Sequence, residues 1–481
     1  MGHKKNHRFS DRHDYDDRAR TDWHFDVEER STRSRSSVSG RALLTFLILI
    51  SLCLSFLAGQ STVERNSLSA VHEKDQASYN ELATLTKPEG LRVVGLVFCK
   101  SVIVGEVSLS ANVLSDGRRK YVDILDCYLR KNLVANNGWL DEVHFIAHTR
   151  DKTDLAWLDQ LVESDNLGQQ GYKVFKIESK SPDWNFKNVW QHYATEPDTV
   201  YIKMDDDLIF IDDEAIPRMV TTLLAHPEAS SVQANVVNNK GTSWYHYHSG
   251  DGMTVQPFLP ANSSITKAIP SPNDWRTSSL PLFTDLEILS YAGTNWTAYT
   301  PSLDDVTDNS QTWVRLPATA RNLQQTPITL ALPPDTPSND LGFMPMVPWP
   351  LAAQELYSLL HHLEHGTLSR YHFGDSSGLW NPWYKHYSIN FMAIRGSMVQ
   401  REPFWDWALT WGDEWVLTEK LPQYTHMPVL VETRALAAHW AFHMWQNQER
   451  WLLKTDLLGR FRGFANERVC GVGNQKVAFV D

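Results

Sequence analysis

The sequence lacks the features that commit a chain to several familiar chemistries. It has four cysteines, Cys53, Cys99, Cys127 and Cys470, and no two stand in a C-x-x-C pair. That excludes a cysteine-ligated zinc framework and a dense disulfide scaffold. A pair among Cys99, Cys127 and Cys470 stays open if that part of the chain is lumenal. No G-x-G-x-x-G follows the first strand-like run, and no G-x-x-x-x-G-K-[ST] is present, so the dinucleotide fingerprint and the P-loop are both missing. No segment repeats at a fixed period. Positive charge is in deficit: 45 Lys and Arg against 57 Asp and Glu leave a net charge of −12. That balance argues against nucleic acid as the main partner.

Apolar material is plentiful. Hydrophobic residues make up 42% of the 481 positions and there are 19 Trp, enough for a sizeable core, and the length allows two or three domains. Residues 1–41 are polar, mixed in charge and too poor in apolar side chains to fold alone. Residues 42–59 form an uncharged apolar run that spans roughly 27 Å as a helix, close to a bilayer core. Arg33, Arg35 and Arg41 precede it without an intervening acid. The basic flank sets residues 1–41 in the cytoplasm. The long leader and long run favour a signal anchor over a cleaved signal peptide. A single-pass type II membrane protein follows, with residues 60–90 as a stem and the remainder in the lumen.

The folded part begins near Leu91. Runs rich in β-branched and aromatic residues predict strands over 91–98, 142–147, 173–177, 200–204 and 231–237. Helical spacing predicts helices over 121–133, 153–163, 186–194 and 212–225, the last capped by Asp212. Strands that alternate with helices imply a parallel, three-layer α/β sheet. The pattern dissolves over about 250–350, a stretch rich in Pro, Ser, Thr and Asn with two glycosylation sequons at Asn262 and Asn295. A helix is expected over 350–365, strands over 384–394 and 428–432, and a helix over 435–453. The expected parts are 91–250 as the first α/β half, 251–370 as an insertion, and 371–481 as the remainder.

The most informative stretch is Val200 to Ile211. An apolar run ends in Asp205, Asp206 and Asp207, and a second apolar run begins at Leu208. An isolated acidic triplet usually means a solvated turn that caps a strand. Here both flanks read as strand, so the carboxylates fall at the end of a buried element, where unpaired charge is costly. A hard divalent cation answers that cost, and such cations commonly bridge carboxylates to phosphates. In α/β sheets, ligands bind beyond the carboxyl ends of the strands, which is where this triplet lies.

This layout resembles the GT-A glycosyltransferases, a nucleotide-diphospho-sugar transferase fold of three α/β/α layers, here with a long insertion behind a membrane anchor. The resemblance spans about 90–240 and 380–445. Asp205-Asp206-Asp207 is similar to the D-x-D motif. On that match Asp205 and Asp207 would contact Mn²⁺ or Mg²⁺ and the nucleotide, with Asp207 the more direct metal ligand and Asp206 beside them. Lys203, Arg92 and Lys100 are candidate phosphate helpers. Gly412-Asp413-Glu414-Trp415 is similar to the acidic helix start that supplies a general base, with Glu414 preferred over Asp413. His439 and His443, four apart on the expected helix, are similar to the late histidine that completes the metal shell, and His439 is taken as that ligand. Trp383, Trp411 and Trp415 are candidates to stack on an acceptor sugar. His246, His248, His361 and His365 are weaker candidates for the site.

The resemblance implies transfer of a sugar from a UDP- or GDP-sugar to a hydroxyl of a glycan or glycoprotein in a Golgi or other secretory-pathway membrane. A base at Asp413 or Glu414 would make transfer inverting; without one a retaining mechanism stands open. The alternatives are a metal-dependent hydrolase of phosphate or sugar esters and a non-catalytic lumenal binding protein.

Overall fold

The computed structural model describes residues 85–100, 118–149, 151–177, 186–239, 241–243, 245–246, 254–257, 274–282, 313–315, 349–401, 412–440, 449–453 and 455–471. All belong to one compact unit, Ser67–Asp481. The tail, the apolar run 42–59, nearly all of the stem, both sequons, His248, Trp411 and His443 lie outside the described residues. Among those described, no helix is long and apolar enough to cross a membrane.

The chain is a mixed α/β fold around one nine-stranded sheet. In chain order the elements are β1 (Arg92–Lys100), α1 (Arg119–Lys131), β2 (Glu142–His148), α2 (Lys152–Glu163), β3 (Tyr172–Lys176), α3 (Phe186–Tyr193), β4 (Thr199–Asp205), β5 (Leu208–Ile211), α4 (Ala215–Ala225) and β6 (Ser231–Val237). A small separate ribbon pairs β7 (Val255–Pro257) with β8 (Trp313–Arg315). Then come α5 (Trp349–His365), β9 (Leu379–Trp380), β10 (Phe391–Arg395), α6 (Gly396–Val399), α7 (Asp413–Trp415), β11 (Val429–His439), α8 (Glu449–Leu452) and α9 (Leu457–Phe464). The spatial order is β3-β2-β1-β4-β10-β6-β11-β5, with β9 joined to β11.

Six strands, β1 to β4, β6 and β11, run the same way; β10, β5 and β9 run against them. The sheet is therefore mixed, where the alternation of elements implied an all-parallel one. Period-2 alternation assigns its two faces. On β1, Val93 and Val97 enter one core while Val94, Leu96 and Phe98 enter the other. On β4, Val200, Ile202 and Met204 face the first core and Tyr201 the second. Lys203 and Asp205 fall in phase with Tyr201, so two charged groups point toward the apolar second face. A disulfide joins Cys127 of α1 to Cys470, 343 residues apart, with a Cα separation of 5.0 Å. Cys99 is a buried free thiol.

Three expectations need correction. Residues 435–439 are not helical: they are the end of β11, held between β6 and β5. The run Ala435-Leu-Ala-Ala-His439 has high helix propensity, but pairing on both sides overrides it. The strand expected over 384–394 forms only at Phe391–Arg395. The helix after the acidic triplet begins at Ala215, behind Glu214, so Asp212 is not its cap.

Candidate metal centre

The site grows from the turn between β4 and β5. Asp205 is the last residue of β4 and lies opposite Phe98 of β1. Asp206 and Asp207 make the turn, and β5 starts at Leu208. Antiparallel pairing of β11 with β5 puts His439 opposite Leu208, one residue past the acidic turn, with a register shift between Ala438 and His439. Elements more than two hundred residues apart in the chain thus deliver Asp205, Asp207 and His439 to one point. One potential ligand atom from each lies within 4.8 Å of the others.

His439 Nε2 sits 2.7 Å from Asp207 Oδ1 and 3.5 Å from Asp205 Oδ2. Burial disfavours the charged imidazole, but Asp207 and Asp205 more than offset that and carry its pKa up to about 9. In return, the carboxyls of Asp205 and Asp207 titrate below the usual range. Burial opposes this at both, and Lys203 and His439 outweigh it at Asp205, His439 and Arg118 at Asp207. Two carboxylates and one imidazole in a buried niche are an oxygen-rich, partly nitrogenous donor set. That set could hold a divalent cation.

Basic groups flank the carboxylates. Arg118 donates through Nη1 to Asp207 Oδ2 at 3.0 Å, and its Nε lies 3.7 Å from Asp206 Oδ1. Lys203 is buried; its ammonium donates to Asp205 and, at 2.7 Å, to the carbonyl of Ile389, and lies 5.4 Å from the Phe98 ring centroid. Asn390, just ahead of β10, donates Nδ2 to Asp205 Oδ2 at 2.6 Å. Arg118 also lines a narrow pocket with Cys99, Thr149, Asp154 and Trp157 among others.

The acidic pair at the start of α7 divides its contacts. Gly412 precedes it with φ 82°, a conformation side-chain-bearing residues avoid. Asp413 Oδ2 accepts a hydrogen bond from Trp190 Nε1 at 3.0 Å. Its solvent-poor surroundings push its pKa up, while Lys203 and Trp190 pull the other way. Glu414 pairs with His386 Nε2 at 3.1 Å, and the His386 ring stacks on Trp415 at 4.5 Å between centroids. Trp383 is 75% exposed, the most exposed large apolar side chain among the described residues.

Other candidates lie elsewhere. His361 is buried on α5 within 3.4 Å of Thr277 Oγ1, and His365 caps the carbonyl of His361. His246 is buried, bonds Asn235 Oδ1 at 2.9 Å, and burial takes its pKa down to about 3. Arg92 pairs with Glu142 and Glu196 at the start of β1, the end of that strand away from Asp205. Arg118 and Asn390 escaped the sequence reading. Neither carries a local signal: each reaches the carboxylates only through long-range packing.

No family model and no curated protein matches the chain. Among solved structures, the crystal structure of 4-diphosphocytidyl-2C-methyl-D-erythritol synthase from Anaerococcus prevotii is similar over 31% of this chain, with 12% identity and a TM-score of 0.20. The match covers 56% of that protein's length, and a likeness this slight says nothing about activity.

Proposed function

We propose that this chain is a metal-dependent glycosyltransferase of the GT-A type, which moves a sugar from a nucleoside diphosphate to a glycan or glycoprotein hydroxyl. One observation carries the reading: Asp205, Asp207 and His439 converge at the carboxyl end of β4, beside the basic side chain of Arg118. On this reading Asp205, Asp207 and His439 would hold Mn²⁺ or Mg²⁺, and the ion would supply positive charge to the diphosphate leaving group. Arg118 exchanges Asp207 for a phosphate oxygen. Lys203, already committed to Asp205 and Ile389, keeps the first carboxylate in place.

Asp413 is the better candidate for general base than Glu414. Its poorly solvated surroundings raise its proton affinity, which is what a base working near neutral pH needs. Glu414 is engaged with His386. An acceptor hydroxyl deprotonated by Asp413 would attack the donor's anomeric carbon, giving inversion. The bond to the diphosphate would break with its electron pair leaving on the diphosphate, and the acceptor proton would pass to Asp413. The Cys127–Cys470 disulfide favours an oxidising compartment. It fits a lumenal catalytic part anchored by residues 42–59, in the Golgi or a neighbouring membrane.

The test is thermal unfolding of the full-length chain with UDP, GDP or CMP, each with and without Mn²⁺. Ligand that binds the native state raises the melting temperature by mass action. A rise that requires both a nucleoside diphosphate and Mn²⁺, and that Asp207→Ala abolishes, is expected. No rise with any pair defeats the donor-site assignment.

A further inference from the structure

Two consecutive asparagines at the end of β6 reach both halves of the metal cluster from behind. Asn238 is fully buried and holds a left-handed φ of 61°. Its Nδ2 donates to two successive carbonyls, of His439 at 2.9 Å and Trp440 at 2.8 Å. Trp440 in turn donates its backbone N–H to the Asp207 carbonyl at 2.9 Å. One side-chain amide therefore clamps the peptide that carries His439 and, through it, the turn that carries Asp207.

Asn239 works on the other ligand. Its Nδ2 donates to Asn390 Oδ1. Asn390 holds Asp205 twice, donating from Nδ2 to Oδ2 at 2.6 Å and accepting the Asp205 backbone N–H at 2.9 Å.

Both asparagines depend on a backbone turn that α5 enforces. The N–H of Asn238 donates to Glu355 Oε2 at 2.8 Å, and Ser243 Oγ donates to the same oxygen at 2.9 Å. Glu355 is fully buried, and its Oε1 meets no partner among the described residues. A buried carboxyl half-satisfied in this way costs stability. Packing alone would be served better by an apolar residue.

The geometry points to Asn238, Asn239 and Glu355 as positioning residues of the metal centre. Glu355 sets the turn, Asn238 fixes the His439–Trp440 peptide, and Asn239 orients Asp205 through Asn390. The inference rests on the metal-site reading above, and it makes α5 part of the machinery rather than a cover over it. Outer partners of metal ligands typically change affinity by about 10- to 100-fold when removed.

The experiment is direct titration of the full-length chain with Mn²⁺ alone, followed by electron paramagnetic resonance of the free ion, alongside melting temperatures without metal. Asn238→Gly keeps the left-handed turn and deletes only the amide. Asn239→Ala deletes the second arm. Glu355→Ala removes the acceptor, and Glu355→Gln restores one. Expected is a roughly tenfold or greater loss of Mn²⁺ affinity in the first three. Glu355→Gln should stay near the wild type, and metal-free melting should change far less than affinity does. Should Asn238→Gly fail to fold, Asn239→Ala reads the same frame from the Asp205 side. Mn²⁺ binding that depends on Asp207 but ignores all these variants overturns the positioning role alone. Binding that is indifferent to Asp207→Ala overturns the metal centre and this frame together.

Discussion

His439 carries the clearest consequence at the scale of a single residue. Its ordinary pKa of 6.5 rises to about 9 beside Asp207 and Asp205. A group whose folded pKa exceeds its unfolded one contributes stability below the unfolded value and loses it as pH rises through the folded one. The shift is worth about 3 kcal/mol at most. Metal-free protein should therefore lose up to about 3 kcal/mol of stability between pH 6.5 and 9. Chemical denaturation across that range checks this. Excess Mn²⁺ should remove the decline, because a metal ligand is a neutral imidazole and the ion replaces the proton. His439→Gln should flatten the profile; a slope that survives the substitution refutes the assignment.

Trp383 poses a different single-residue question. It and Tyr384 stand consecutively at φ 53° and 59°, where a side chain costs about 1–2 kcal/mol. Trp383 is too exposed to recover that by packing. Trp383→Gly should then cost nothing in the native state and raise stability by up to about 1 kcal/mol, net of the greater freedom of the unfolded chain. A fall in melting temperature would show that the indole makes contacts that offset its strain.

Among elements, legibility followed local pattern. Strands β1 to β4 and β6 were readable to within two residues, because β-branched runs end at turn residues and alternate with amphipathic helices. Only the first part of β11 was readable: the strand expected over 428–432 forms, but it runs on to His439, where a largely buried strand shows no alternation and the Ala-rich sequence favours helix. His439 was nevertheless picked out, though as part of a helical pair with His443; strand pairing brings it to Asp205 and Asp207 instead. Asp205 and Asp207 were legible because an acidic run at a strand end is conspicuous, and Asn238, Asn239 and Glu355 were not, because amides and acids of that kind are common and their contacts are all long-range.

The same scale separates the two acids at the start of α7. Asp413 is tied to α3 through Trp190, Glu414 to the segment before β10 through His386. If Asp413 is the base, Asp413→Asn should lower kcat/KM by about 10²–10⁴-fold, while Glu414→Gln should change it less than about tenfold. The acid limb of the wild-type pH profile should lie above the usual carboxylate range. Trp190→Phe should move that limb higher still, since it removes a hydrogen bond that favours the charged form. Equal losses in the two acid variants would send the assignment back to the pair.

At the scale of the whole molecule, one covalent bond ties the first described helix of the sheet region to the last described turn. Cys127 is fully buried on α1, and Cys470 follows the π-helical end of α9 at Ala465–Val469. Between them lie nearly all the described strands and every residue of the candidate metal centre except Arg118. Closing a loop of 343 residues restricts the unfolded chain, and the chain-entropy account gives about 6 kcal/mol. Reduction should therefore lower the melting temperature of the full-length chain by several degrees. Cys470→Ser should do the same and become insensitive to reductant. Cys99→Ser should leave that response intact, because Cys99 is a buried free thiol whose proton burial holds tightly. The compartment enters here: thiols persist in the cytosol and disulfides in the secretory lumen. Alkylation of the full-length protein, drawn from cells under conditions that trap thiols, should label Cys99 only after unfolding, and Cys127 and Cys470 only after reduction. Label on Cys127 without reductant would place the folded part on the cytosolic side and reverse the proposed topology of residues 42–59.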